Sequence, residues 1–162
     1  MRILLTALCA IALLATASVA QVTTYATVGG GSLMKSGESG QFAMYAATNT
    51  SLHSDSASGF TAFNRTGYFY SDGVDQEIQG LMSFMITQKT FNMGSLNLSA
   101  AVGGGVLYAI EEGDDLTSAA IKVELGVSFF KFIGLAFGAD YVPIKGEGDE
   151  TFAYVGLDLS PF

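Results

Sequence analysis

Disulfides, a helix long and apolar enough to cross a bilayer, and a basic surface are all missing from this sequence. Its one cysteine, Cys9, lies in the apolar N-terminal run, so an exported domain would rely on its sheet instead of covalent staples. No later stretch offers about 20 unbroken apolar residues, the length a spanning helix needs. Lys and Arg number 7 against 15 Asp and Glu, a balance that disfavours nucleic acid as a partner. Histidine occurs once, as His53 in the string SLHSDS.

What is present begins with an address. Arg2, the apolar run Ile3 to Leu14 and the stretch Ala15 to Ala20 ending in Ser-Val-Ala read as a secretory signal peptide over residues 1–20, cleaved before Gln21. Leu5 to Cys9 has the outline of a lipoprotein box, but Leu8 stands where a small residue is needed. Cleavage would take away Arg2, leaving six of the seven basic residues against 15 acidic ones, a formal charge of −9. The remainder, 21–162, reads as a single domain.

Hydrophobicity is high, 49% of residues with positive mean hydropathy, and it is arranged with a period of two. In Thr117 to Phe130, Ala119, Ile121, Val123, Leu125, Val127 and Phe129 share one face, while Ser118, Ala120, Lys122, Glu124, Gly126 and Ser128 share the other. Leu96 to Ile110 alternates in the same way, and the acidic turn EEGDDL joins the two arms. Eight such segments are expected: 22–34, 41–53, 59–70, 77–90, 96–110, 117–130, 133–144 and 151–160. Several exceed the ~5–6 residues usual in soluble sheets and reach the ~9–11 that a tilted strand needs to cross a bilayer.

Two kinds of connection alternate along the chain. KSGESG, SDGVDQ, EEGDDL and KGEGDE, which carry most of the acidic residues, alternate with SDSAS, FNMG and the tight turn at Lys131 and Phe132. An even number of strands puts both termini on one side, and the acidic turns on the other. Tyr70, Tyr108, Tyr141 and Tyr154 are expected near the acidic end, with Phe60, Phe91, Phe129 and Phe132 near the opposite end, as two interfacial girdles. Segment three is less regular. Placing Arg65 inward turns Asn64 and Thr66 outward, and a β-bulge there would reset the faces.

A leader, eight alternating strands, tight turns at one end and the final strand FAYVGLDLSPF together resemble the OmpA/OmpX-type eight-stranded outer-membrane β-barrels, across the whole chain after the leader. The resemblance implies an all-β, antiparallel, up-and-down transmembrane barrel in the bacterial outer membrane, with outer-membrane lipid and the barrel-assembly machinery as partners. It also implies that the last strand carries the assembly signal, here Gly156, Leu157, Leu159 and the terminal aromatic Phe162. Pro161 departs from the pattern, because proline cannot donate to the ladder and pairing should stop near Ser160.

Eight strands enclose a lumen that side chains fill. Alternation assigns Arg65, Lys122, Glu124, Asp140 and Asp158 to that lumen, where buried charges must pair. The expected role is structural or surface-interactive, with short acidic loops outside, rather than catalytic. No cofactor is called for, and the acidic turns lack the spacing of a dedicated calcium loop. Gly29 to Gly31 and Gly103 to Gly105 are not followed by Gly-Lys-Ser/Thr and read as strand glycines. Two rival readings remain open. A lipid-modifying barrel enzyme would employ His53 with Ser54 or Asp55, although neighbours on a strand face opposite ways. A secreted lipocalin-like carrier would turn the apolar faces inward around a ligand.

Overall fold

A computed structural model describes residues 24–35, 40–72, 77–111, 114–130, 133–142 and 150–159. The expected leader, Phe162 and the central residues of the acidic turns lie outside the described residues. Within them the chain forms β1 (Thr24–Lys35), β2 (Gln41–Asp55), β3 (Phe60–Asp72), β4 (Glu77–Met93), β5 (Leu96–Glu111), β6 (Asp114–Phe130), β7 (Ile133–Val142) and β8 (Glu150–Leu159). Each strand pairs antiparallel with its sequence neighbours, and β8 closes onto β1 from Ala26↔Leu159 to Lys35↔Glu150. Closure leaves no edge strand with unpaired backbone groups.

Most segment boundaries agree with the alternation, and the departures have local causes. β4 runs on to Met93, because Phe91 to Met93 continue the ladder opposite Leu96 to Leu98 and the turn shrinks to Gly94 and Ser95. Gly94 takes φ 72°, which only glycine adopts freely and which suits a two-residue hairpin. β7 is described to Val142, and Pro143 and Ile144 of the expected segment lie outside the described residues. β8 pairs through Leu159, two residues short of Pro161.

Following paired residues once around the ring shows the stagger. Thr24 pairs with Thr50, and the path continues through Asn64, Met85, Gly104, Ile121, Tyr141 and Thr151 to reach Met34. The return point lies ten residues along β1 from the start (34 − 24). A ring of eight strands with that offset must tilt its strands, typically by ~35–45°.

Orientation on β6 is unambiguous. Lys122 and Glu124 are 1% and 6% exposed, whereas Ile121, Val123 and Leu125 are 56%, 52% and 63% exposed. Val102, Val106, Phe137 and Val155 also project from the outer wall. At mid-strand the wall therefore hides Arg65, Lys122, Glu124 and Asp140 and displays apolar side chains, the inverse of a water-soluble domain.

The bulge lies on β2 rather than β3. Pairing between β2 and β3 jumps from Ser51↔Phe63 to His53↔Ala62, so the extra residue is Leu52. β3 keeps its alternation throughout: Phe63, Arg65, Gly67 and Phe69 are buried, and Asn64 and Thr66 stay outward. A second shift at Phe129 adjusts β6 against β7.

Phe60, Phe91 and Phe129 are exposed at the turn-rich end that carries Ser56 to Gly59. Lys89 pairs with Phe60 across the strands, lies 4.5 Å from that ring centre and 5.9 Å from the centre of Phe91, and donates to the Ser58 carbonyl. At the opposite end Tyr141 is exposed. Tyr154 is not part of this girdle. It shares its face with Phe152 and Gly156, so the pleat turns it into the lumen.

Candidate functional site: a hydrogen-bonded belt across the lumen

Side chains fill the lumen in tiers set by the alternation of each strand. Near the end that leads to the acidic turns, Ala43, Tyr45, Phe69, Met82, Ala120, Val142 and Phe152 are buried together. Tyr45, Phe152 and Tyr154 form an aromatic cluster, with Tyr45 and Tyr154 at 5.0 Å and 72° and Phe152 stacked on Tyr154 at 5.4 Å. Edge-on and offset pairs of this kind add to the burial of their area. Small residues face them. A side chain on Gly138 would collide with the Tyr154 ring, and one on Gly156 with the Tyr45 hydroxyl. Gly103 and Gly105 sit beside Ile86 and Phe84 in the same manner, so these glycines make room for large neighbours.

Beneath the aromatic tier lies a continuous chain of polar contacts. Asp140 Oδ1 is 2.6 Å from Lys122 Nζ. Lys122 Nζ donates to the Tyr154 hydroxyl at 2.8 Å, and that hydroxyl donates to Glu124 Oε2 at 2.6 Å. Arg65 then grips Glu124 with Nη1 and Nη2, and its Nε donates to Asn49 Oδ1 at 2.6 Å. Asn49 Nδ2 donates to Thr27 Oγ1 at 2.6 Å, and Thr27 Oγ1 donates to Asp158 Oδ1 at 2.5 Å. The chain visits β7, β6, β8, β3, β2 and β1 and spans the bore.

The local sequence explains each placement. Lys122 and Asp140 are cross-strand partners on β6 and β7, so their opposite charges meet directly. Thr27 and Asp158 are partners on β1 and β8. Arg65 is long enough to cross the lumen from β3 to Glu124, and its planar fork matches the carboxylate. Its guanidinium carbon also lies 5.7 Å from the Phe63 ring centre, and Lys122 Nζ lies 4.7 Å from that of Phe84. Buried charges are costly unless paired and hydrogen-bonded, and Arg65, Lys122, Glu124 and Asp140 each have an opposite charge in contact.

The expected lumen residues Arg65, Lys122, Glu124, Asp140 and Asp158 thus share one network. Sequence reasoning missed Thr27, Asn49 and Tyr154, which relay between the charged pairs. The signal for Tyr154 was available, since Val155, Leu157 and Leu159 outward force the even positions of β8 inward. In the expected assembly segment, Gly156 is buried while Val155 and Leu159 are exposed.

His53 is exposed near the end of β2 and pairs with Ala62. The nearby Asp55 carboxylate is occupied by its own turn: Oδ1 accepts from the Ala57 N–H at 3.0 Å and Oδ2 from Ser58 Oγ at 2.6 Å. These bonds hold the Asp55 carboxyl below its ordinary pKa, with the Ser58 hydroxyl the largest cause. Among the described residues no group of three or more His, Cys, Asp or Glu side chains is placed to hold a metal ion.

No protein-family model and no curated protein matches the sequence. Solved structures do resemble it. The Neisserial surface protein A is 12% identical, with a TM-score of 0.61 over 86% of this chain and 97% of that one. The outer membrane enzyme PagL is also 12% identical, with a TM-score of 0.68 over 86% of this chain and 99% of that one. Likeness at this identity speaks for the fold alone: the chain is a closed, eight-stranded antiparallel barrel, as these two outer-membrane proteins are.

Proposed function

We propose that this protein is a resident of the bacterial outer membrane, a barrel closed by its own side chains that acts as a structural or surface-interaction element and not as a catalyst or an open pore. One observation carries the reading: from Ala119 to Phe129 the apolar side chains of β6 face outward while Lys122 and Glu124 are sealed inside. That arrangement lowers the free energy of a barrel in hydrocarbon and would expose it to aggregation in water. A lipocalin-like carrier needs the opposite orientation.

The belt from Asp140 to Asp158 acts as a cross-brace. It pairs Arg65 with Glu124 and Lys122 with Asp140, and with the aromatic tier above it blocks the bore to hydrated ions. In this reading the acidic turns face outward, and Gly156, Leu157, Leu159 and Phe162 serve the barrel-assembly machinery. The leader at 1–20 would deliver the chain. Asp55, the carboxylate beside His53, is taken up by Ala57 and Ser58, which weighs against the enzymatic reading.

Cell fractionation followed by reconstitution tests the proposal. Expected are recovery with the outer membrane, extraction only by detergent, a heat-dependent gel mobility, and no stable conductance in planar bilayers. Recovery in the aqueous fraction would contradict the location, and discrete open-channel steps would contradict the sealed lumen.

A further inference from the structure

The outer wall is not uniform. Around β5 to β8 the outward positions are Val102, Val106, Ile121, Val123, Leu125, Phe137 and Val155, all apolar and exposed. Across β2, β3 and β4 the outward positions at mid-strand are instead mostly polar, Thr48, Thr50, Asn64, Thr66, Ser83 and Thr87, with Met85 exposed between the last two. The register sets them side by side, with Thr48↔Thr66↔Ser83 in one row and Thr50↔Asn64↔Met85 in the next. Because the bulge at Leu52 falls on the turn side of this cluster, nothing rotates it inward.

We propose that this polar face is where a second copy of the chain docks within the bilayer, a proposal that rests on the membrane reading above. The cluster satisfies itself only in part. Thr66 Oγ1 donates to Asn64 Oδ1 at 2.7 Å, and Thr48 Oγ1 reaches the Thr66 carbonyl at 3.3 Å. The Asn64 amide nitrogen has three long contacts, 3.5 Å to Ser83 Oγ, 3.3 Å to the Phe84 carbonyl and 3.7 Å to Met85 Sδ. In hydrocarbon, weakly used amide and hydroxyl donors carry a cost that a polar partner removes.

The occupant must meet these groups at the same depth, carry no net charge there, and offer both donors and acceptors. Lipid headgroups do not reach the middle of a spanning strand. A second copy related by a two-fold axis along the bilayer normal meets every requirement. It brings Asn64, Thr66 and Ser83 against themselves at equal depth, and amides and hydroxyls each donate and accept, so the face is complementary to itself. The apolar wall of β5 to β8 remains in contact with lipid.

Cysteine cross-linking in isolated membranes tests this. In a Cys9→Ala background, Thr66→Cys places a thiol in the cluster, and Val123→Cys places one three strands away on the apolar wall. Oxidation should link Thr66→Cys into a dimer about tenfold faster than Val123→Cys. In liposomes, energy transfer between labelled wild-type copies should fall by about tenfold at matched dilution in the Asn64→Leu, Thr66→Leu double variant, with heat-dependent mobility unchanged. Equal cross-linking at both positions, or a linked species with the mass of a different protein, would overturn docking by a second copy while the protein stays in the membrane fraction. Recovery of the protein in the aqueous phase would overturn the underlying membrane reading itself.

Discussion

Arg65 holds both carboxylate oxygens of Glu124 across the lumen, Nη1 to Oε2 at 2.5 Å and Nη2 to Oε1 at 3.2 Å, with both side chains shut away from solvent. This contact joins two strands that are not neighbours in the ring, β3 and β6, so it braces the barrel across its bore where backbone pairing cannot.

Removing one partner leaves the other charged and buried. Arg65→Met should therefore lower stability by about 3–5 kcal/mol, read from the urea midpoint of the refolded barrel. Arg65→Met with Glu124→Leu should recover most of that loss, because paired charges and well-packed apolar groups are nearly equivalent inside. A double variant as unstable as the single would show that the bidentate contact itself, not charge balance, is what matters.

Tyr154 links the two ion pairs, accepting from Lys122 and donating to Glu124. Tyr154→Phe keeps the ring but leaves both partners short of a bond, and should cost about 1–3 kcal/mol. An unchanged urea midpoint would mean that other groups take over both contacts.

Gly156 lies under the Tyr45 hydroxyl, where a side chain would collide. Gly156→Val should destabilise the barrel by about 1–3 kcal/mol through overpacking. Gly156→Val combined with Tyr45→Phe, which removes the colliding hydroxyl and keeps the ring, should fold more stably than Gly156→Val alone, and failure of that rescue would place the defect elsewhere.

Asp55 caps the β2 to β3 turn through Ala57 and Ser58. Its folded pKa lies below the ordinary carboxylate value, so the stabilisation is complete above the unfolded pKa and disappears as pH falls through the lower folded one. A carboxyl carbon titration by NMR should give a depressed midpoint that Ser58→Ala moves back up. An identical midpoint in the variant would remove Ser58 as the main cause.

Much of the fold was legible because a strand imposes a strict period. Ile121, Val123 and Leu125 against Lys122 and Glu124 leave one choice of faces, and cross-strand register follows from short turns. Two features were not legible for identifiable reasons. The bulge at Leu52 depends on how β2 and β3 align, a non-local fact, and Asn64 and Thr66 made β3 look like the strand that needed it. The belt depends on reach across the bore. Sequence spacing shows that Arg65 and Glu124 both point inward, but not that β3 and β6, three strands apart in the ring, bring them to matching height.

The central claim is that the wall of β6 meets lipid. The chain contains no tryptophan, so Val123→Trp gives a single reporter on that wall, in protein reconstituted into vesicles whose acyl chains carry bromine near mid-depth. The account predicts blue-shifted emission that the brominated chains quench strongly and that acrylamide in the water does not reach. Red-shifted emission quenched by acrylamide and indifferent to the brominated lipid would contradict it.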